Sequence, residues 1–162
     1  MKAGLVVVVN GASSSGKTSL ARALQLVAPD PWLHAGIDRF WGMMPQGWMQ
    51  LGARAGSNVV SDDVFFDRAW AGDWAAALDG IDAWLVGLHC SDDELERRER
   101  GRGDREPGEA RAEAAAIHEG MPYDLELDSS SLSSDALAVA VLDHVAGARP
   151  WALEVLRGDT GA

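Results

Sequence analysis

The sequence has almost no cysteine and no long hydrophobic run. Its single cysteine, Cys90, excludes an internal disulfide framework and fits a reducing compartment, where we expect it to pack as a small hydrophobe at a strand end. No apolar run approaches the roughly 20 residues of a transmembrane helix. The apolar part of MKAGLVVVVN is also too short for a signal peptide. We therefore expect a cytoplasmic protein without a membrane partner.

Positive charge is scarce as well. The chain has 14 Lys and Arg against 25 Asp and Glu, a formal net charge of −11. This balance argues against nucleic acid or an anionic membrane as the main partner. The length of 162 residues and a hydrophobic content of 47% predict one domain over 1–162 with a terminal tail at 147–162. The oligomeric state is left open.

Lysine occurs only at Lys2 and Lys17, and the second lies in a motif. The segment VVVVNGASSSGKTSL fits G-x-x-x-x-G-K-[ST], the phosphate-binding loop called Walker A, between a β-branched run and a helical pattern. In such a loop, backbone N–H groups and a helix N-terminus bind phosphates, the lysine reaches the β- and γ-phosphates, and the hydroxyl of Thr18 ligates Mg²⁺. We therefore predict binding of ATP, with GTP left open, and of Mg²⁺. The predicted nucleotide-binding residues are Gly11, Ala12, Ser13, Ser14, Ser15, Gly16, Lys17, Thr18 and Ser19.

Short apolar runs alternate with helical segments along the rest of the chain. The predicted strands are Leu5–Val9, Trp32–Ile37, Asn58–Phe65, Asp82–Cys90 and Tyr123–Asp128. The predicted helices are Ser19–Val27, Arg68–Leu78, Asp92–Arg100, Glu109–Glu119, Ser134–Val145 with Ser133 or Ser134 as N-cap, and a short one at Trp151–Leu156. This order predicts an α/β P-loop NTPase fold, a five-stranded parallel sheet with helices on both faces.

Asp38 follows the second predicted strand, and Asp62 and Asp63 end the apolar core of the third, at the edge where open α/β sheets bind ligands. Asp38 either caps the next helix or accepts the proton of an attacking hydroxyl. Asp62 and Asp63 are adjacent in a strand and face opposite ways, so only one can reach a metal. We assign Asp62 to Mg²⁺ and Asp63 to the acceptor side.

The connection over 38–57 is unusual. Glycines and a proline interrupt it, its helical periodicity is weak, and it is dense in tryptophan and methionine. These side chains either complete the core or form an apolar wall beside an acceptor. The residues assigned to such a wall are Phe40, Trp41, Met44 and Trp48.

Five arginines fall between 97 and 105 in this acidic chain. Some can belong to a solvated helix face, but Arg98 and Arg102 lie one helical turn apart and glycines interrupt the segment that leads to Arg105. This pattern predicts an arginine-bearing lid over about 92–108 that closes over phosphates and excludes water. We assign Lys17 and these three arginines to catalysis.

His118 has no partner cysteine or histidine at the spacing of a metal site. No nucleophile motif supports Ser-His-Asp hydrolysis either. A structural role is therefore the favoured interpretation of this histidine.

Six segments in order resemble the chloramphenicol phosphotransferase-like family of small P-loop kinases: NGASSSGKT, PDPWLHAGID, DDVF, WLVGLHC, RGDR and HEGMPYDLELDSS. The resemblance implies ATP-dependent phosphorylation of a hydroxyl on chloramphenicol or a similar drug. It implies Asp38 as the base, and Arg102 and Arg105 with Arg98 as the lid. This chain departs from the family at one place: the family has a longer connection between its counterparts of Trp48 and Asn58, with a helix beside the substrate.

The predicted function is an ATP-dependent phosphotransferase acting on a hydroxyl of a small-molecule antibiotic. One alternative is a kinase of another hydroxylated antibiotic, a metabolite or a nucleoside, although an apolar Trp/Met wall suits a nucleoside poorly. The other is a nucleotide-binding protein without catalysis, in which Asp38 and the arginine lid would have no role.

Overall fold

The structure is a computed structural model that describes residues 3–36, 48–102 and 108–159. Its strands are β1 (Val6–Asn10), β2 (Trp32–Gly36), β3 (Asn58–Asp63), β4 (Ala83–His89) and β5 (Leu125–Asp128). Its helices are α1 (Lys17–Val27), α2 (Trp48–Arg54), α3 (Arg68–Ala77), α4 (Asp92–Arg102), α5 (Glu109–Ile117), α6 (Ser134–Gly147) and α7 (Ala152–Asp159).

The strands form one parallel sheet in the order β2-β3-β1-β4-β5. Every residue of β1 is fully buried, as expected for the central strand of a sheet that is covered on both faces. Val6 and Val8 pack in the cluster that contains α3 and α7, and Val7 and Val9 in the one that contains α1 and α6. The predicted fold is confirmed.

The carboxyl edge of the sheet contains a topological switch point. From β1 the chain crosses first to β2 and β3 on one side, and later to β4 and β5 on the other. The strand register places Asn10 beside both Asp63 and Gly87 at this edge. A small buried cluster with Ala12, Leu95 and Ile117 holds helices α4 and α5 over it. Open α/β sheets bind ligands in the crevice that such a switch opens.

Helix α2 lies within the connection over 38–57, where the sequence shows only weak helical periodicity. It has seven residues and includes Gly52, so its sequence carries little helical signal. Tertiary contacts hold it in place: Ala53 is fully buried, and its carbonyl accepts a hydrogen bond from Gly4 N over 2.7 Å.

The other elements match the predicted ones with shifted ends. Strand β3 ends at Asp63 instead of Phe65, because the Phe65 N–H leaves the sheet and donates to the Asn10 side chain over 2.8 Å. Helix α6 begins after Ser133, whose Oγ accepts from Ala136 N as the predicted N-cap.

Candidate active site

The loop between β1 and α1 has the shape of a phosphate cradle. Gly16 has a φ of 98°, and Ser14 also lies in the left-handed region with a φ of 60°. A Cβ on Gly11 would lie 2.7 Å from the Leu88 carbonyl oxygen, so only glycine fits there. Alternation of ordinary and left-handed residues turns successive N–H groups to one side and makes an anion-binding concavity.

Three buried hydroxyls and one ammonium group lie in this loop. The hydroxyls of Ser13, Ser14 and Ser15 are buried and have no hydrogen-bond partner among the described residues. Lys17 Nζ donates to the carbonyls of Gly11 and Ala12 over 2.7 and 2.8 Å, which holds the ammonium group at the loop. Since buried hydroxyls normally find a partner, the loop fits a ligand rich in acceptor oxygens.

The predicted metal residues are in direct contact. Thr18 Oγ1 donates to Asp62 Oδ2 over 2.6 Å, and the other carboxylate oxygen lies 2.9 Å from His34 Nε2. Burial opposes ionisation of Asp62, but the hydrogen bonds from His34 and Thr18 outweigh it, and the pKa of Asp62 lies below its ordinary value. A hydroxyl and an ionised carboxylate at a phosphate loop are ligands that suit Mg²⁺.

No set of three or more His, Cys, Asp or Glu side chains forms a metal cage within the described ranges. Mg²⁺ needs none, because it keeps several waters and takes substrate phosphates beside one or two protein ligands.

Asp63 faces away from Thr18, as strand alternation predicts. Its side chain is buried, and its Oδ2 accepts from Ser61 Oγ over 2.6 Å. The assignment of Asp63 to the acceptor stays a prediction.

Arg98 lies against the phosphate loop. Its guanidinium donates to Ser15 O over 3.0 Å and to Ser129 O over 2.7 Å, and its Nε donates to Glu94 over 2.7 Å. Arg98 therefore joins helix α4, the loop and the segment after β5. A direct contact between Arg98 and a phosphate stays a prediction.

The structure describes no side chain of the other predicted lid and acceptor residues. Arg102 ends helix α4 and Trp48 begins α2, and only their backbones are described. The remaining ones lie outside the described residues: Asp38, Phe40, Trp41, Met44 and Arg105. Their roles stay predictions.

Two residues of the HEGMPY segment, His118 and Tyr123, belong to a chain of hydrogen bonds beneath the site. Asn10 Nδ2 donates to Tyr123 Oη over 2.7 Å, and Tyr123 Oη lies 2.8 Å from His118 Nδ1. Burial and the adjacent His89 lower the pKa of His118 to about 4, so its ring is neutral at neutral pH. These contacts agree with the structural role expected for His118.

Sequence reasoning missed three residues that touch the site: His34, Glu113 and Ser129. Glu113 accepts from the Ser13 backbone N–H over 2.6 Å, and Ser129 Oγ donates to Ser15 O over 2.6 Å. The residues of each pair are separated by 100 or more positions, so local spacing carries no signal for them.

Between residues that the structure describes, two cavities open beside the loop. The larger, of about 600 Å³, lies between the end of β4 and helices α4 and α5, and its lining includes Ala12, His89 and His118. The smaller, of about 230 Å³, lies beside Gly16 and Arg98.

A family model described as chloramphenicol phosphotransferase-like protein matches residues 4–50 and 48–146. The chain belongs to this family. The match to the chloramphenicol phosphotransferase-like family consists of two stretches that overlap at residues 48–50. This is the place where the sequence predicts a connection shorter than the family's.

Two proteins of Mycobacterium tuberculosis are similar over most of their length. They are named as candidate O-phosphotransferases, MT2714 of strain CDC 1551 / Oshkosh and Rv2636 of strain ATCC 25618 / H37Rv. Each is 35% identical in an alignment of 181 positions that covers 85% of this chain and 80% of the relative.

Solved structures share the fold. The M. tuberculosis APS kinase CysC in complex with AMPPNP and APS has a TM-score of 0.69 at 21% identity, covering 91% of this chain and 100% of that one. The Deinococcus radiodurans tunicamycin resistance protein has a TM-score of 0.68 at 15% identity, with coverages of 91% and 99%. A Sinorhizobium meliloti gluconokinase has a TM-score of 0.56 at 19% identity, with coverages of 98% and 96%.

The family and the fold together define the reaction class. The protein is a nucleotide-binding P-loop kinase, an O-phosphotransferase with an alcohol group of a small molecule as acceptor. In the described part of the chain, no helix has the length and hydrophobicity needed to cross a bilayer.

Proposed function

We propose that this protein transfers the terminal phosphoryl group of MgATP to a hydroxyl of a small-molecule antibiotic, as a chloramphenicol 3-O-phosphotransferase-like enzyme. The observation that carries the proposal is the 2.6 Å contact between Thr18 and Asp62 at the phosphate loop. It supports a metal-dependent reaction on a bound triphosphate, because it joins the loop to a carboxylate that suits Mg²⁺. The need for ATP favours the cytoplasm as the location.

ATP would lie with its phosphates in the loop over 11–19 and its base in the smaller cavity. Gly16, Ser19, Arg98 and Leu132 border that cavity, and Leu132 is 44% exposed, so a base would cover apolar surface there. Arg98 supports the loop from the same side through its bond to Ser15 O.

Mg²⁺ would be held by Thr18 and Asp62 together with phosphate oxygens. When bound, it neutralises negative charge on the β- and γ-phosphates. His34, 2.9 Å from Asp62, keeps that carboxylate in one orientation, as partners of metal ligands commonly do.

The phosphoryl transfer would use residues from both connections that flank the site. The acceptor oxygen forms a bond to the γ-phosphorus while the bond from that phosphorus to the bridging oxygen breaks, and the hydroxyl proton passes to Asp38. Lys17, Arg102 and Arg105 would offset the charge on the transferred group, and the lid would exclude water.

The acceptor would lie against Phe40, Trp41, Met44 and Trp48, with Asp63 nearby. An apolar wall suits an uncharged drug better than a charged metabolite. The family match supports an antibiotic as the acceptor class.

The test is a screen for acceptor-dependent ADP release. Chloramphenicol and other hydroxylated antibiotics, nucleosides and sugars are each incubated with the protein and MgATP, and Lys17→Ala serves as the inactive control. We expect release with an antibiotic and none with the control. Release only with a nucleoside or a metabolite would contradict the antibiotic assignment, and no release with any acceptor would contradict the proposal.

Asp38→Asn then tests the base. ATP affinity should be nearly unchanged and acceptor phosphorylation should fall by roughly 10²- to 10⁴-fold. Full activity of this variant would remove Asp38 from the mechanism.

A further inference from the structure

Helix α5 brings a carboxylate onto the phosphate loop. Glu113 Oε2 accepts a hydrogen bond from the Ser13 N–H over 2.6 Å, and Ser13 is only 7% exposed. The backbone N–H groups of a phosphate loop are its main donors to nucleotide phosphates. Glu113 thus engages a donor that a phosphate oxygen would otherwise take.

For nucleotide binding, the negative charge of Glu113 matters more than its hydrogen bond to Ser13. A carboxylate and a phosphate that share this cradle bring two anions together in a partly desolvated place, where like charges repel strongly. A glutamine side chain has almost the same shape, and its carbonyl oxygen could accept from Ser13 without that repulsion.

Helix α5 is fastened to helix α4. Glu99 on α4 is only 4% exposed, and its carboxylate accepts from Gly108 N over 2.7 Å and from Ala110 N over 3.1 Å at the start of α5. On the same helix α4, Arg98 donates to a loop carbonyl over 3.0 Å. Helices α4 and α5 therefore form a hairpin that contacts the phosphate loop with one cation and one anion.

We propose that Glu113 is an internal competitor of the nucleotide that determines its affinity. It occupies the Ser13 N–H in the nucleotide-free protein, and phosphate binding displaces it and frees α5 from the loop. The inference rests on the proposed function, because it requires a loop that binds nucleotide.

The experiment compares nucleotide affinities of the full chain by titration calorimetry, with MgADP and with Mg²⁺ and a non-hydrolysable ATP analogue as probes. Glu113→Gln keeps the acceptor for Ser13 and removes the charge, so we expect it to bind both probes about 5-fold more tightly or better. The matched control is Glu119→Gln, since Glu119 is exposed just beyond the same helix. It loses the same charge and should bind as the wild type does.

Thermal unfolding without nucleotide separates competition from a structural role. If Glu113 only fastens the hairpin, Glu113→Gln and Glu113→Ala lower the Tm and bind nucleotide equally or more weakly, which overturns the inference. If Glu113 competes, Glu113→Ala also binds more tightly, even where its Tm falls. Equal tightening by Glu119→Gln would overturn the inference too, because a long-range charge effect would then suffice. Absence of nucleotide binding by the wild type would refute the proposed function and this inference with it.

Discussion

The two sides of the phosphate loop are built in different ways. On the sheet side, side chains contact one another: Thr18 in the first turn of α1 meets Asp62 of β3, and Asp62 meets His34 of β2. On the hairpin side, helices reach the backbone of the loop, where Arg98 donates to carbonyls and Glu113 accepts from an N–H.

This difference suggests separate roles: the sheet side fixes the geometry of the metal ligand, and the hairpin side sets the affinity for nucleotide. The register of the sheet pairs Asp62 with Val9 and with Gly36, so the strands on both sides fix the carboxylate at the edge. Mg²⁺ demands such fixed geometry. The hairpin instead contacts the edge through a small buried cluster with Leu95 and Ile117, and it reaches the loop through hydrogen bonds to its backbone. We expect substitutions on the sheet side to lower the transfer rate, and substitutions of Arg98 and Glu113, the two hairpin residues that contact the loop, to change nucleotide affinity.

The largest effect is expected from Asp62→Asn on the sheet side. The amide keeps the shape of the side chain but loses the negative charge that a metal ligand needs, so kcat for acceptor-dependent ADP release should fall by about 10²-fold or more. The measurement is steady-state kinetics at several Mg²⁺ concentrations. The control is Asp82→Asn, an exposed aspartate just before β4 at the other end of the sheet. A normal kcat in Asp62→Asn would erase the distinction between the two sides.

A smaller effect is expected from Arg98→Lys on the hairpin side. The forked guanidinium of Arg98 donates to Ser15 O and Ser129 O at the same time. Lysine keeps the positive charge but lacks this forked geometry, so it cannot make both hydrogen bonds. We expect the KM for ATP to rise by about 10-fold with a smaller change in kcat. Arg97→Ala is the control, because the Arg97 side chain is 68% exposed and pairs with Glu94. If kcat falls and the KM stays, Arg98 contacts the transferred group, and the hairpin takes part in chemistry.

Tyr123→Phe tests the hydrogen-bonded chain of Asn10, Tyr123 and His118 that lies beneath the site. This change removes the hydroxyl that Asn10 and His118 share and leaves their polar atoms without that partner, so the free energy of unfolding should drop by about 1–3 kcal/mol. Thermal and urea unfolding measure it, and ATP affinity should change little. A large loss of ATP affinity with unchanged stability would mean that Tyr123 acts on the loop itself.

The smallest effect concerns the pH dependence of stability. Burial and the adjacent His89 lower the pKa of His118 from 6.5 to about 4. Between these values the unfolded chain binds a proton that the folded chain does not, so wild-type stability should decline as pH falls from about 6.5 to about 4. Above that window His118 contributes no pH dependence.

His118→Gln should remove this part of the acid sensitivity, and His144→Gln, on helix α6, should retain it. Melting temperatures at pH 7 and pH 4.5 measure the difference. An unchanged decline in His118→Gln would assign the acid sensitivity to other groups.

The sequence predicted the phosphate loop well because its information is local. Residues 11–19 are contiguous, and their glycine, lysine and threonine spacing specifies the backbone shape by itself. The contact of Asp62 with Thr18 was also within reach, since carboxyl ends of parallel strands meet at one edge. Helix α2 was not, because a seven-residue helix containing Gly52 depends on tertiary packing for its stability.

The sequence by itself determined the succession of strands and helices and the phosphate loop, because periodicity and motif spacing are properties of neighbouring residues. Its resemblance to the family implied the reaction class. Only the tertiary structure decided that His34 supports Asp62, that Arg98 binds loop carbonyls and that Glu113 takes the Ser13 N–H. These contacts join residues 28 to 100 positions apart. The sheet register and the packing of the α4–α5 hairpin bring these distant side chains into contact. A local sequence pattern contains no information about such pairs.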